Sequence, residues 1–271
     1  MSNENTTVWR IVWSPALPGP ENMAVDEAIL ESVKQGLAPP TLRFYTWSPA
    51  CVSIGYFQCA AASTDMAEIK RRGLGFVRRP TGGRAILHDD ELTYSVVAPV
   101  SLLPGPSSVL DTYLTISRGL LSGLLALGAQ VELAPRGGDR PGHAKSAACF
   151  DTPSSYELVS GGRKVVGSAQ TRRGGVLLQH GSVPISMDFQ LLTAVLGLEP
   201  RMKETLRSGV VTVSELLGRG IEPRELGEAL AGGLIREVLG ACERGELTGG
   251  EKALAAELVA KYNSDEWNFV R

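Results

Sequence analysis

The sequence predicts an α+β fold, a mixed central β-sheet flanked by helices with a helical C-terminal section, on three observations. Short apolar or alternating runs, each bounded by glycine or proline, occupy much of residues 41–99 and 156–185. Two long stretches of helical periodicity, near 21–36 and 109–128, interrupt them. Beyond Ser186 the strand-like runs give way to helical patterns.

The elements follow in order. ENMAVDEAILESVKQG reads as a helix, with Asn22 placed as N-cap and Asp26 and Glu27 suited to its positive end. Val25, Ile29 and Val33 form its stripe, and Gly36 stops it. TLRFYTW and ACVSIGYF read as strands separated by a turn at Ser48-Pro49, and 64–72 as a short polar helix. GFVRRP is a strand entering a Gly-Gly loop, and RAILHD continues beyond it. ELTYSVVAP sets Leu92, Tyr94 and Val96 against Thr93 and Ser95, the alternation of a half-buried strand. VLDTYLTISRGLLSGLLALG is a helix with Leu110, Leu114, Leu121 and Leu125 on one face, ended by Gly128. AQVELAP is a strand, followed by a loop over 135–148. Two hairpins come next, turning at Gly161-Gly162 and Gly174-Gly175. The last section reads as the helices MDFQLLTAVLG, TVSELLG, PRELGEALAGGLIREVLGACERG and GGEKALAAELVAKY. The third of these aligns Leu226, Leu230, Leu234 and Val238.

Composition bounds the function. With 271 residues, 43% hydrophobic and 21% charged, the chain can bury a full core. A net charge of −2 argues against a nucleic-acid surface. No apolar run approaches the ~18 residues of a membrane span, and MSNENTTVWR lacks a signal-peptide pattern. The four cysteines contain no CxxC pair and the three histidines have no metal-ligand spacing, so neither a zinc site nor disulfides are expected. A cytoplasmic protein with reduced thiols is the reading.

Three stretches carry candidate chemistry. In RRPTGGRAILHDD, Gly82-Gly83 either lets backbone amides approach a ligand or makes a plain hairpin loop with a charged rim. In GRKVVGSAQ, Lys164 either is partly desolvated, where a lysine becomes a proton shuttle, or snorkels to water from an edge strand. In SAACF, Cys149 is either a small buried hydrophobe or a nucleophile activated by a nearby cation: His143, Lys145 or Lys164. Cys51, Cys59 and Cys242 sit in apolar patterns and read as structural.

Taken together and in this order, RRPTGGRAILHDDELTYSVV, NMAVDEAIL, SIGYFQ and GRKVVGSAQTRRGGVLLQHGSVPI resemble the biotin/lipoate protein ligase superfamily. The similarity covers roughly residues 20–190, and the ending KYNSDEWNFVR also fits. ACFDTPSSYELVSGGRKVVGSAQ resembles the superfamily's cysteine-dependent octanoyltransferases. Lipoate ligases, which activate their acid with ATP, usually carry a third glycine where this chain has Arg84.

The resemblance implies a biotin/lipoate ligase-like fold and one catalytic domain over 1–271. The family core would span about 38–248 and the helical C-terminal section about 187–271. It implies octanoyl transfer from acyl carrier protein to a lysine of a lipoyl domain, of the glycine-cleavage H protein type, in lipoate biosynthesis. No cofactor, metal, nucleic acid or membrane is called for. Cys149 would be the thioester nucleophile and Lys164 its proton-handling partner. Arg79, Gly82, Gly83, His88, Gly167, Ser168, Ala169, Gln170 and His180 would bind substrate. Arg78, Arg79, Arg172 and Arg173 would offer contacts to acidic carriers. An amidotransferase working between lipoyl-type proteins, an ATP-dependent ligase and a silent acyl-carrier binder are the alternatives.

Overall fold

Residues 7–134 and 157–270 are described by the structure, a computed structural model. Its first strand, β1 (Trp9–Trp13), has no counterpart in the sequence reading. Next come α1 (Gly19–Lys34), β2 (Thr41–Tyr45), β3 (Cys51–Ile54), α2 (Ala60–Ser63), α3 (Met66–Arg71), β4 (Gly75–Arg78), β5 (Ile86–His88) and β6 (Glu91–Pro99). Then follow α4 (Val109–Ala126), β7 (Glu132–Leu133), β8 (Leu158–Ser160), β9 (Arg163–Lys164), β10 (Gly167–Arg173) and β11 (Val176–Pro184). The last section holds α5 (Phe189–Val195), α6 (Met202–Gly209), α7 (Val213–Leu217), α8 (Pro223–Leu234), β12 (Cys242–Gly245), α9 (Gly249–Asn263) and α10 (Asp265–Asn268).

A mixed six-stranded sheet, ordered β10-β11-β6-β2-β1-β12, is the middle layer. β12, β1 and β2 run parallel, and β2, β6, β11 and β10 pair antiparallel. Two three-stranded sheets accompany it, β4-β3-β5 and β7-β8-β9. On one face, Leu92, Tyr94, Val96 and Ala98 of β6 share a core with Ile116, Leu120 and Leu124 of α4 and Leu226, Leu230 and Leu234 of α8. On the other, Val97 packs with Met23, Ile29 and Leu30 of α1 and Ala255 and Tyr262 of α9. β6 is therefore buried on both faces rather than half-buried, because helices cover the sheet from both sides.

Several local readings are corrected by tertiary contact. α1 begins at Gly19 with Pro18 as N-cap, since a proline near the first turn loses no hydrogen bond there. Asn22 is instead buried inside the first turn, where its amide donates to Leu17 O and Thr46 O, both at 3.0 Å. On α4, Leu110 and Leu125 are exposed, and the buried face runs through Ile116, Leu120 and Leu124. Glycines choose that face. A Cβ at Gly123 would lie 2.6 Å from Ala229 O and one at Gly119 2.7 Å from Leu234 Cδ2, so α4 and α8 meet closely only there. The helix starting at Pro223 stops by Leu239, and Gly240 turns the chain with φ +69° into β12 at the sheet edge. Both glycine-pair hairpins form, with positive φ at Gly161, Gly162, Gly174 and Gly175. Among the described residues, no helix is long and apolar enough to cross a membrane.

Candidate active site

β6, β11 and β10 meet the small β4-β3-β5 sheet around a cleft whose empty space, with the open solvent at its mouth included, is about 390 Å³. Arg79, Gly83, His88, Gly167, Ser168, Ala169 and His180, all expected at the site, line it. Met23, Tyr45, Trp47, Ile86, Thr93, Gly181 and Ser182 complete the lining; of these only Tyr45 and Trp47 lie outside the blocks that carry the family resemblance, and none was singled out as a site residue. Gly83 is exposed while Met23, Tyr45 and Thr93 are buried, so the glycine loop marks where the cleft opens to solvent. Gly82 and Gln170 belong to an adjoining groove shared with Tyr56, Phe57, Arg172 and Trp267.

The glycine loop owes its shape to close approaches. Gly83 has φ +91°, and a Cβ at Gly55 would sit 2.0 Å from Gly83 O, so the loop packs directly on the SIGYF segment. Arg79 clamps the loop. Its Nη2 donates to Gly82 O and Arg84 O, each at 3.0 Å, and its Nη1 donates to Ser53 O and Oγ at 3.0 and 2.7 Å. Arg78 faces the other way, donating to Gly55 O, Tyr56 O, Gln58 O, Trp267 O and Asn268 O. Both guanidiniums are buried, which removes Arg78 and Arg79 as carrier-docking contacts. Arg172 donates to Ser107 O and Ser108 O, and Arg173 pairs with Glu27 at 2.6 Å. On β11, a Cβ at Gly181 would meet Ser168 Oγ at 2.6 Å and the Tyr94 ring at 2.7 Å, so only glycine fits between those neighbours.

Two buried histidine–carboxylate pairs support the lining. Asp26 Oδ1 accepts from Arg43 Nη1 at 2.8 Å and Ser95 Oγ at 2.9 Å. Its Oδ2 accepts from Tyr45 OH at 2.9 Å and His180 Nδ1 at 3.0 Å. His180 Nε2 is thereby left to accept from the Thr81 hydroxyl at 2.7 Å, the tautomer following from the network. Glu91 Oε1 accepts from His88 Nδ1 at 2.8 Å and from the Thr93 hydroxyl, and Oε2 accepts from the Ser182 hydroxyl. His88 Nε2 and Ser53 Oγ lie 2.7 Å apart, the ring nitrogen accepting when the imidazole is neutral.

Burial opposes ionisation of Asp26, but Arg43 and then His180 outweigh it and hold the carboxyl below its ordinary value. Burial also opposes ionisation of Glu91, and His88 with the Ser182 and Thr93 hydroxyls reverses the balance. For His180 burial wins, pushing its pKa down although Asp26 pulls it up. Burial pushes the Tyr94 phenol up to about 12, so it remains an O–H beside Ser168 Oγ at 2.7 Å.

Lys164 is 3% exposed, which excludes the snorkelling reading. Its ammonium donates to Glu157 Oε1 at 2.6 Å, the carboxylate company a buried charge needs. It is not part of the cleft lining but stands three residues before Gly167, which is. Cys149, His143 and Lys145 lie outside the described residues. Of the other thiols, Cys51 is buried and its pKa raised by that burial, Cys242 is half-buried on β12, and Cys59 is exposed rather than structural.

The mixed sheet with its flanking helices is the fold of lipoate-protein ligases. Residues 18–235 match the lipoyl protein ligase A/B catalytic domain, and the chain belongs to that family. It is 48% identical, over 97% of its own length and 98% of the relative's, to a protein named Octanoyltransferase LipM from Symbiobacterium thermophilum. Its fold resembles a lipoate-protein ligase A bound with ATP, with TM-score 0.79 and 28% identity over 97% of this chain and 98% of that one. It also resembles a bipartite lipoate protein ligase from Thermoplasma acidophilum, described with its E2 lipoyl domain. There the TM-score is 0.78 and the identity 27%, over 97% of this chain and 96% of that one.

Proposed function

We propose that this chain is an octanoyltransferase of lipoate biosynthesis. It would move an octanoyl group from acyl carrier protein to a lysine of a lipoyl domain, of the glycine-cleavage H protein type, through a thioester on Cys149. The observation carrying the reading is the 48% identity, over nearly the full length of both chains, to a protein named Octanoyltransferase LipM. The reading treats residues 1–271 as one catalytic domain acting in the cytoplasm, with the catalytic core over about 38–248 and the helical section over about 187–271.

In the first step the Cys149 thiolate attacks the thioester carbonyl of the donor. A new C–S bond forms, the old one breaks, and the carrier leaves as a thiol that takes up a proton. In the second step the acceptor lysine, as a free amine, attacks the Cys149 thioester. An amide forms, Cys149 leaves as thiolate, and the amine gives up one proton. Lys164 serves both steps, its charge favouring the thiolate and its ammonium supplying and then recovering the proton. Its burial beside Glu157, at the approach to β10, supports that role. Thioester exchange is nearly balanced and amide formation from a thioester is downhill, so no ATP is required.

The acyl chain takes the cleft, where burying six methylenes at ~0.8 kcal/mol each contributes roughly 5 kcal/mol. His88 and His180 bind substrate as lining groups, and Gln170, with Gly82, borders the mouth. Backbone amides around Gly82-Gly83 or in the 167–169 segment would stabilise the tetrahedral oxyanion.

Intact mass after mixing with octanoyl carrier protein tests the reading. One octanoyl group should appear on Cys149, none in Cys149→Ala, and Lys164→Ala should slow thioester formation by about a hundredfold or more. Transfer that survives in Cys149→Ala, or ATP-dependent use of the free acid, rejects the mechanism. Octanoylated H protein serving as donor in place of the carrier would point to the amidotransferase.

A further inference from the structure

Glu91 stands behind the cleft rather than in its lining, yet the side chains it holds all line it. Its carboxylate receives His88 from β5, Thr93 from β6 and Ser182 from β11. Thr93 Oγ1 in turn accepts from Trp47 Nε1 at 2.8 Å. The Trp47 indole stacks on the His88 imidazole, with ring centroids 3.9 Å apart and planes 11° from parallel. The contacts therefore close into a ring running from Glu91 through His88, Trp47 and Thr93 back to Glu91. Trp47 is 6% exposed, His88 4% and Thr93 2%, so this ring is part of the buried wall of the cleft.

We infer that Glu91 is a positioning residue. By orienting Trp47 and His88 as one rigid plate and tying them to Ser182, it fixes the buried wall of the cleft in the shape that accepts a medium-length acyl chain. This rests on the octanoyltransferase reading for its ligand. The chemistry suits a carboxylate and no other side chain of that size. All three groups pointing at Glu91 are donors, and a carboxylate only accepts. A glutamine offers one accepting oxygen in place of two, so the Ser182 hydroxyl must turn round to accept from its NH₂ and the lining loses the alignment that Glu91 imposes. The plate then loses its brace, and an octanoyl chain, which covers more of that wall than a butyryl chain does, loses more contact with it.

The test uses the full-length chain, with free octanoate and free butyrate as probes, measured by calorimetry. Acylation of Cys149 by octanoyl carrier protein is followed separately. Glu91→Gln should weaken octanoate binding about tenfold or more while changing butyrate binding less than about threefold. Thr93→Val, which removes the hydroxyl that joins Trp47 Nε1 to Glu91 and leaves the His88 and Ser182 bonds, should shift the same ratio in the same direction by a smaller factor, and it keeps the test open if Glu91→Gln fails to fold. Equal losses for both acids, an unchanged ratio in Thr93→Val, or a wild-type chain that does not bind octanoate overturns the inference. Octanoate binding with the predicted ratio shift, but no acylation of Cys149, upholds the brace and rejects the transfer reading instead.

Discussion

The two histidine–carboxylate pairs that flank the cleft look alike and are built for different tasks. Asp26 neutralises Arg43, a guanidinium with no exposure, and Arg43 also lies 3.9 Å from the Tyr45 ring centroid. Its link to His180 is one of four bonds around a buried charge pair. Glu91 receives an imidazole and two hydroxyls, each carried by a residue of the cleft lining. A carboxylate that balances a buried cation belongs first to the fold, because removing it strands a charge. One held by an imidazole and hydroxyls can align side chains at smaller risk to stability.

That contrast can be broken by measurement. The largest effect should come from Asp26→Ala, which leaves Arg43 buried without its partner and should cost about 3–5 kcal/mol of unfolding free energy in urea. Glu91→Gln should cost about 1–3 kcal/mol in the same titration. Equal losses would erase the distinction. Gly181, between His180 and Ser182, tests the space the two pairs share. Gly181→Ala would put a methyl against Ser168 Oγ and Tyr94, costing about 1–3 kcal/mol and narrowing the cleft, so octanoate should bind more weakly in calorimetry.

The smallest effect separates the pairs by pH. Burial holds His180 below the ordinary value of 6.5, so the unfolded chain takes up that proton first and stability falls as pH drops below about 6.5. Asp26 and Glu91 are held below their ordinary 3.8 and 4.5. Their contribution is fully present above those values and is lost as pH falls through the lower folded ones. His180→Gln should remove the first decline and leave the second, read as the urea midpoint between about pH 7.5 and 5.5. A His180→Gln chain with the wild-type slope over that range would show that His180 is not the group responsible.

How much was legible depends on how far away each residue's partner lies. The glycine turns and the α8 stripe were legible because their causes sit within a few residues. The RRPTGGRAILHDD block pointed to the cleft, but not to the opposite duties of its arginines. Successive side chains at a strand end point to opposite faces, which sends Arg78 to α10 and Arg79 to the glycine loop. Asp26 read as a helix-dipole residue, since nothing near it in sequence reveals Arg43 on β2. Trp47 lies outside every block that carries the family resemblance, and Glu91, though within RRPTGGRAILHDDELTYSVV, had nothing beside it to show its role. An indole at the end of a strand and a glutamate at the start of one are commonplace until His88 and Thr93 bring them together.

The sequence by itself determined the α+β class, both hairpins and the family resemblance, because apolar period, glycine backbone freedom and motif order are local properties of the chain. Tertiary structure decided which face of α4 is buried, that β2 and β3 enter different sheets, and which carboxylate serves the fold and which the cleft. Asp26 meets Arg43 across 17 residues and His180 across 154, and Glu91 meets Ser182 across 91. Desolvation and charge pairing act between side chains that only the folded chain makes neighbours, so no local pattern can record them.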